Sequence, residues 1–138
     1  MRRGFLRALV ALSIAASLPA RAQDARSSEA QDAARAWLAL VDKSDVEGAY
    51  DAAGNKFKRG MAKADWIKAL VKTREPYGAN AQRTIAATQF HNRIQGVGKG
   101  DYAVLLFRSS FARRDFAQEQ VTLENTPKGW QVIGYVIS

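Results

Sequence analysis

The sequence contains no cysteine and a single histidine, His91, among its 138 residues. These absences exclude disulfide bonds, a cysteine nucleophile, thiolate metal sites and any motif built on a pair of histidines. No apolar run approaches the roughly 18 residues that a membrane-spanning helix needs. The length corresponds to one domain. We therefore expect a single domain that is not integral to a membrane and that carries no metal and no cofactor.

Residues 1–22 have the pattern of an export signal. A basic start is followed by an apolar stretch over residues 8–18. The small residues Ala20 and Ala22 suit a signal peptidase, which predicts cleavage between Ala22 and Gln23. We therefore expect a periplasmic or secreted protein of a bacterial-type cell. The alternative is a short buried helix at the start of the domain.

The sequence leaves two export pathways as alternatives. The segment Arg2-Arg3-Gly4-Phe5-Leu6-Arg7 resembles the twin-arginine export motif, although only Met1 precedes the arginine pair. Ordinary secretion of the unfolded chain is the alternative. Four of the 21 lysines and arginines, and none of the 13 acids, lie within the leader. The remaining chain is therefore only modestly basic, which argues against a nucleic-acid partner.

The first half of the mature chain predicts three helices. Residues 23–28 are small and polar and indicate a flexible neck, so the single domain is predicted to span residues 29–138. Apolar residues at helical spacing then predict helices over residues 29–43, 46–57 and 62–73. Ser28 and Ser44 stand at capping-box spacing before the first two of these helices.

The second half changes to an alternating pattern that predicts four strands. These are residues 83–90, 101–111, 118–124 and 130–137, with a glycine-containing loop over residues 91–100. The strand over residues 101–111 is apolar on both faces, which indicates a position that is covered on both sides or central in a sheet. Helices followed by an antiparallel meander predict an α+β fold, with the helices packed on one face of the sheet.

Several blocks of the sequence occur in the order and spacing of a known family. They are Trp37-Leu38-Ala39-Leu40-Val41-Asp42, Trp66, Arg74-x-Pro76-x-Gly78, Arg83, Gly100-Asp101-Tyr102, Ser110-Phe111, Glu119-x-Val121-Thr122 and Gly129-Trp130-x-Val132-x-Gly134-Tyr135. In these blocks the chain resembles the small exported bacterial family named domain of unknown function 4019. Three positions depart from the family pattern while keeping bulk and apolar character: Val46, Tyr50 and Tyr77.

The resemblance covers about residues 37–137 and implies a fold similar to cystatin-like or nuclear-transport-factor-like domains. It also implies export. It implies no activity and supplies no catalytic residues, because the family is named for having none assigned.

Arg74 and Arg83 are the strongest polar candidates for a ligand site. If residues 76–82 fold back, the two guanidinium groups meet around a carboxylate or a phosphate, which arginine binds through two parallel hydrogen bonds. The alternative is that each arginine pairs with an acid of the chain itself. The candidate partners are Asp42, Glu75 and Glu119.

The aromatic residues Trp66 and Tyr77 are the candidates for an apolar wall of the same ligand site. Trp37, Tyr50 and Trp130 extend this set. Aromatic residues at helical or strand spacing more often form the core, and the core is the preferred interpretation for these residues.

These features favour a non-catalytic ligand-binding or protein-interaction module of the periplasm. The second face of the central strand, with Val104 and Leu106, predicts a homodimer surface. One alternative is a small hydrolase or isomerase whose pocket contains tyrosines, Asp42, Arg74 and Arg83. Another is a binder of anionic surfaces such as lipopolysaccharide, through the basic cluster Lys56, Lys58, Arg59, Lys63 and Lys68 with Arg113 and Arg114.

Overall fold

The structure is a computed structural model that describes the backbone of residues 2–138 and the side chains of residues 21–138. Helices come first in the chain and strands follow. The helices are α1 (Arg2–Asp42), α2 (Val46–Ala52), α3 (Asn55–Lys58) and α4 (Lys63–Arg74), and the strands are β1 (Asn80–Ile94), β2 (Gly98–Phe111), β3 (Arg114–Thr126) and β4 (Gly129–Ile137). The predicted order of helices before an antiparallel meander is confirmed.

Helix α1 supplies one wall of the core through the face that the sequence predicts. Its buried residues recur at helical spacing and are Ala30, Ala34, Trp37, Leu38 and Val41. The predicted start at Glu29 is wrong, because Ser28 lies inside α1 and caps nothing. Local capping chemistry is a weak stop signal when the residues before it are themselves good helix formers.

The predicted leader lies largely outside the described side chains, which begin at residue 21. Ala22 and Gln23, the predicted cleavage pair, are exposed and belong to α1. Residues 23–28, predicted as a flexible neck, also lie in α1, and Arg26 forms an ion pair with Asp101. None of the described helices has a stretch long and apolar enough to cross a bilayer. Cleavage and export stay predictions.

The second predicted helix is divided in two, which raises the helix count from three to four. The division falls at Gly54, which is buried and donates its backbone N–H to the Val132 carbonyl at 2.8 Å. A Cβ atom at this position would approach the Ile133 side chain to 2.8 Å. The chain therefore leaves the helix here so that its backbone can lie against β4. The cap of α2 is Asp45 rather than Ser44, since the Asp45 carboxylate accepts from the Gly48 N–H.

The four strands form one antiparallel sheet in the order β1-β2-β3-β4. Strand β2 therefore pairs on both sides, as its apolar sequence predicts. Strand β1 is longer than predicted and runs to Ile94. The predicted loop over residues 91–100 is consequently a short turn at residues 95–97. Gly96 and Gly98 have positive φ angles and allow the polar chain to reverse within this turn.

The core lies between the helices and one face of the sheet. Ala103, Leu105 and Phe107 of β2 are fully buried, and Val121 and Leu123 of β3 pack beside them. The two tryptophans of α1 and α4, Trp37 and Trp66, are buried in the same cluster, which confirms the core interpretation for these two, and Tyr50 and Trp130 are partly buried and pack against it. Val71, among the apolar residues whose spacing predicts α4, is exposed and lines a cleft instead of the core.

Candidate functional site

A buried group of charged side chains lies where the ends of α1 and α4 meet the sheet. Asp42 is the last residue of α1 and Arg74 is the last residue of α4. Arg83 of β1 and Glu119 of β3 lie on the face of the sheet that these helix ends approach. We call these four residues, with the hydroxyl groups of Ser109 and Tyr135, the buried charge network.

Arg83 is the centre of the network. Its Nε and Nη2 atoms donate to the two Glu119 carboxylate oxygens at 2.7 and 3.2 Å. Its Nη1 and Nη2 atoms donate to the two Asp42 oxygens at 2.7 and 3.1 Å. Burial lowers the pKa of the Arg83 guanidinium, but the hydrogen bonds to Asp42 and Glu119 outweigh it and raise that pKa. Arg83 is therefore a permanent cation whose hydrogen-bonding capacity is almost fully used inside the protein.

Glu119 is fully buried and is held by groups from three strands. Besides Arg83, the Ser109 hydroxyl donates to it at 2.6 Å and the Tyr135 hydroxyl donates to its other oxygen. Burial raises the pKa of Tyr135, and the neighbouring Glu119 charge raises it further. The Tyr135 hydroxyl therefore stays protonated and acts as a hydrogen-bond donor.

Arg74 differs from Arg83 because much of its hydrogen-bonding capacity is unused. Its Nη2 atom donates to Asp42 at 3.1 Å, and its guanidinium lies 4.8 Å from the centre of the Phe111 ring. The Nε and Nη1 atoms are buried and have no partner among residues 21–138. The Arg74 side chain is only 10% exposed. A buried donor without an acceptor costs about 1–3 kcal/mol, so Arg74 is the least satisfied charged residue of the buried charge network.

Arg74 lines a cleft of about 470 Å³ between the ends of α1 and α4 and the turn that leads into β1. We call it the Arg74 cleft. Most of its wall is apolar, and Asp42, Ser44 and Glu75 supply the other polar groups. The apolar wall consists of Val41, Val46, Leu70, Val71, Gly78 and Ala79. Apolar walls around a few convergent polar groups are typical of small-molecule sites.

Two other depressions lie beside α4. An aromatic pocket of about 150 Å³ is lined by Phe57, Trp66 and Tyr135, and the Trp66 Nε1 atom is buried with no partner in the described part of the chain. The rings of Tyr50 and Phe57 meet Trp66 edge to face, at 5.2 and 5.1 Å between ring centres. A shallow groove of about 890 Å³ between α2 and α4 is lined by Ala64, Ile67 and Val71, and its polar residues, among them three lysines, are all exposed. The Arg74 cleft is the only one of these three that joins an enclosing apolar wall to a buried cation with unused donors.

The structure brings two of the four predicted ligand-binding residues together. Arg74 and Arg83 meet around a carboxylate, as their sequence positions predict, but the carboxylate is Asp42 of the chain itself. The alternative of internal ion pairs therefore holds for both arginines. Trp66 lies on the other side of α4, in the aromatic pocket. Tyr77 packs on Phe111, at 5.5 Å between ring centres, and is one ring removed from Arg74.

Two members of the network, Ser109 and Tyr135, were not identified from the sequence as site residues. Glu119 was considered only as a partner for an arginine, yet its position carries a signal. It alternates with Ala117, Val121 and Leu123, which all face the core, so the β-strand period places a charged side chain inward. A charge at an inward position needs a buried partner, which points to Arg83.

The basic cluster that suggested an anionic surface is partly neutralised by the chain. Lys56 donates to the Glu124 carboxylate and, at 3.0 Å, to the Tyr102 hydroxyl. The hydrogen bond to Glu124, followed by the one to Tyr102, raises the pKa of Lys56. Lys63 lies 3.5 Å from the Asp51 carboxylate. These contacts leave fewer cations available for a phosphate-rich surface.

Comparison with known proteins identifies the family. Residues 33–135, about three quarters of the chain, match the family described as Protein of unknown function (DUF4019). The chain belongs to this family. No curated protein matches the DUF4019 chain. Asp42, Arg74, Arg83 and Glu119 all lie within the matched residues.

The DUF4019 chain is also similar to solved structures. One is a Streptomyces avermitilis protein of the NTF2-like family, described as a candidate dehydratase, with a TM-score of 0.50 and 10% identity over 84% of this chain and 96% of that one. At this identity the likeness shows an NTF2-like fold and nothing about activity.

Two further solved structures show lower scores. An NTF2-like protein of unknown function from Pseudomonas putida has a TM-score of 0.48 and 19% identity, over 83% of this chain and 87% of that one. An NTF2-like protein with a cystatin-like fold from Novosphingobium aromaticivorans has a TM-score of 0.42 and 14% identity, over 87% and 88%.

Proposed function

We propose that this DUF4019 protein is an exported module that binds a small molecule in the Arg74 cleft without converting it. The observation that carries the proposal is the state of Arg74, which lines a cleft of about 470 Å³ and whose Nε and Nη1 donors are buried without an acceptor among residues 21–138. That volume lies within the range of about 300–1,000 Å³ that ligand pockets occupy. The aromatic pocket, at about 150 Å³, lies below it.

The absence of conversion is argued from the groups that surround the cleft. Glu119 is fully buried and engaged by Arg83, Ser109 and Tyr135, so it does not reach a ligand as a base. The raised pKa of Tyr135 keeps its hydroxyl protonated, which removes it as a base near neutral pH. Asp42 accepts hydrogen bonds from two arginines, which occupy its carboxylate oxygens. The hydrolase or isomerase alternative relied on tyrosines, Asp42, Arg74 and Arg83, and Asp42 and Tyr135 are thus engaged within the chain.

The test is a thermal-shift screen of the full chain against metabolites of the bacterial envelope, with two methionine variants compared. Arg74→Met removes the unused donors, whereas Asp42 keeps its two bonds to Arg83. Lys72→Met makes the matched change two residues earlier on α4, at an exposed position outside the cleft. A ligand at a hundred times its dissociation constant stabilises by about 2.7 kcal/mol, which shifts Tm by several degrees in a domain of this size.

We expect Arg74→Met to abolish the shift that a bound compound produces and Lys72→Met to keep it. A shift that survives Arg74→Met but is lost in Trp66→Phe would move the site to the aromatic pocket. That second candidate is favoured by the Trp66 Nε1 donor, which is also buried without a partner among the described residues. Turnover of any bound compound, lost in Arg74→Met, would replace the binding module by an enzyme.

Export is proposed from the leader, residues 1–22, and is tested separately. We expect the protein recovered from the periplasm of a bacterial host to begin at Gln23, as measured by its intact mass. Replacing Arg2 and Arg3 by lysine blocks the twin-arginine route and leaves ordinary secretion in place, so this variant distinguishes the two pathways. Retention of the full-length chain in the cytoplasm would contradict the proposal.

A further inference from the structure

The charges around the Arg74 cleft balance before any ligand binds. Arg74 and Arg83 supply two positive charges, and Asp42 and Glu119 supply two negative charges, all within one chain of hydrogen bonds. Both edges of the Arg83 guanidinium donate hydrogen bonds to the two carboxylates. The cleft therefore offers hydrogen-bond donors from a cation whose charge is already compensated.

The other polar residues of the cleft oppose an anion. The Asp42 carboxylate lies 3.1 Å from Arg74 Nη2, beside the position that an incoming acceptor would take. Glu75 adds a second carboxylate to the cleft wall, and Lys72 lies outside the cleft, in the neighbouring groove. A buried carboxylate ligand would carry a charge without a counter-charge, which costs far more than burying a neutral carbonyl that is hydrogen-bonded.

The apolar part of the cleft wall determines which group of the ligand lies next to its hydrogen-bond acceptor. Val41, Val46, Leu70 and Val71 form a continuous apolar lining. Phe111 lies 4.8 Å from the guanidinium of Arg74, whose Nε and Nη1 atoms are closed to solvent, so an acceptor in the cleft meets them when the Arg74 side chain turns towards the cleft. An apolar chain packs on the valines and the leucine while its polar end meets these atoms.

We propose that the Arg74 cleft selects an uncharged acyl compound, an amide or an ester with a short apolar chain, over the free carboxylate. This inference rests on the proposed function and names the chemical class of its ligand. The carbonyl oxygen accepts from Arg74 Nε or Nη1, and the acyl chain lies on the apolar wall. Recognition then satisfies the unused donors without changing the net charge of the site.

The experiment titrates the full chain, labelled with ¹⁵N, with hexanamide, hexanoate and hexylamine at pH 7. The readout is the side-chain Nε–H signal of Arg74, identified by its loss in Arg74→Lys. We expect hexanamide to shift this signal saturably and to bind about tenfold or more tightly than hexanoate, which corresponds to 1.4 kcal/mol. Hexanoate should gain affinity as the pH falls and its carboxyl group takes up a proton.

Two variants and the remaining outcomes complete the test. Arg74→Met should abolish hexanamide binding and Lys72→Met should leave it unchanged, as followed in both variants by the backbone N–H signals of Gly78 and Ala79, which line the cleft. Hexanoate or hexylamine binding as tightly as hexanamide would overturn the neutral-acyl inference while the cleft remains a ligand site. If neither the three probes nor their four- and eight-carbon homologues shift the Arg74 signal, both the inference and the proposed function are overturned.

Discussion

Each end of the sheet carries a cluster in which arginine pairs with a carboxylate, with two arginines at one end and one at the other, and the two clusters differ in burial. At one end, Arg74 and Arg83 are each 10% exposed and pair with Asp42 and Glu119. At the other end, Arg26 is 38% exposed, pairs with Asp101 and lies 4.3 Å from the centre of the Phe90 ring. Both clusters join a helix to the sheet through arginine and a carboxylate.

The difference in burial changes what each cluster contributes. At the buried end, water does not replace a missing partner, so every charge depends on its neighbours. At the exposed end, water solvates whichever charge loses its partner, and an ion pair there is worth at most about 1 kcal/mol. An arginine–carboxylate pair therefore contributes strongly to the stability of the interior at the buried end. At the exposed end the same kind of pair contributes little and only holds α1 against the sheet.

The largest effect is expected from removing one carboxylate at each end. Glu119→Ala leaves the Ser109 and Tyr135 hydroxyls without an acceptor and leaves two buried arginines facing Asp42 alone. We expect the free energy of unfolding to fall by about 3–5 kcal/mol. Asp101→Ala, the matched change at the exposed end, should cost less than about 1 kcal/mol. Urea denaturation followed by circular dichroism measures both values.

Equal losses in the two alanine variants would contradict the comparison. Glu119→Gln provides a finer distinction, because the amide keeps an acceptor oxygen for one hydroxyl but removes the negative charge. A loss between those of the wild type and Glu119→Ala is expected. A loss as small as that of Asp101→Ala would mean that water reaches the network.

The next effect concerns high pH and involves Tyr135. Its pKa is raised in the folded protein by burial and by Glu119, while an unfolded tyrosine titrates near about 10. Its stabilising contribution is therefore complete below about pH 10 and is lost as the pH rises towards the folded-state pKa, because only the unfolded chain releases the proton. Above about pH 10 the unfolding free energy should fall more steeply in the wild type than in Tyr135→Phe, by a difference that approaches about 1.4 kcal/mol per pH unit near pH 11.

Urea unfolding at several pH values between about 9 and 11 measures the two slopes. Lysines and the other tyrosines titrate in both proteins, so the difference between the slopes isolates Tyr135 from most of them. Arg74, Arg83 and Glu119 are the charged groups that act on this hydroxyl. Parallel slopes would mean that the hydroxyl is accessible to water in the folded state.

Much of the fold was predictable because burial follows sequence periodicity. Helical spacing located the buried face of α1 from Ala30 to Val41, and alternation located the inner face of β3. The convergence of Arg74 and Arg83 was also predictable from their positions beside the turn at Pro76. The break at Gly54 was not, because it depends on the close approach of β4, which is more than 70 residues away in sequence.

The identity of the acid between Arg74 and Arg83 also could not be predicted from the sequence. The sequence predicts that two guanidinium groups meet around an acid, but Asp42, Glu75 and Glu119 are equally eligible by residue type. The choice of Asp42 depends on where α1 ends relative to β1, which is set by packing across the core. Tyr135 joins the network because a register shift lies between Thr122 and Leu123, where β3 pairs with β4. Gly134, inside β4 at the shift, is only a weak local signal for it.

The smallest expected effect is at Arg26, and salt separates its two contributions. Arg26→Ala removes the ion pair with Asp101, which salt screens, and the contact with the Phe90 ring, which salt affects less. We expect a loss of about 1 kcal/mol near 0.05 M NaCl that falls by roughly half near 1 M NaCl, where the screening length is about 3 Å. Urea serves as the denaturant, since guanidinium is itself a salt. The loss in Glu119→Ala should change little over the same range, because buried pairs are screened far less. A loss at Arg26 that is independent of salt would assign its whole contribution to packing on Phe90 and would remove the electrostatic half of the comparison.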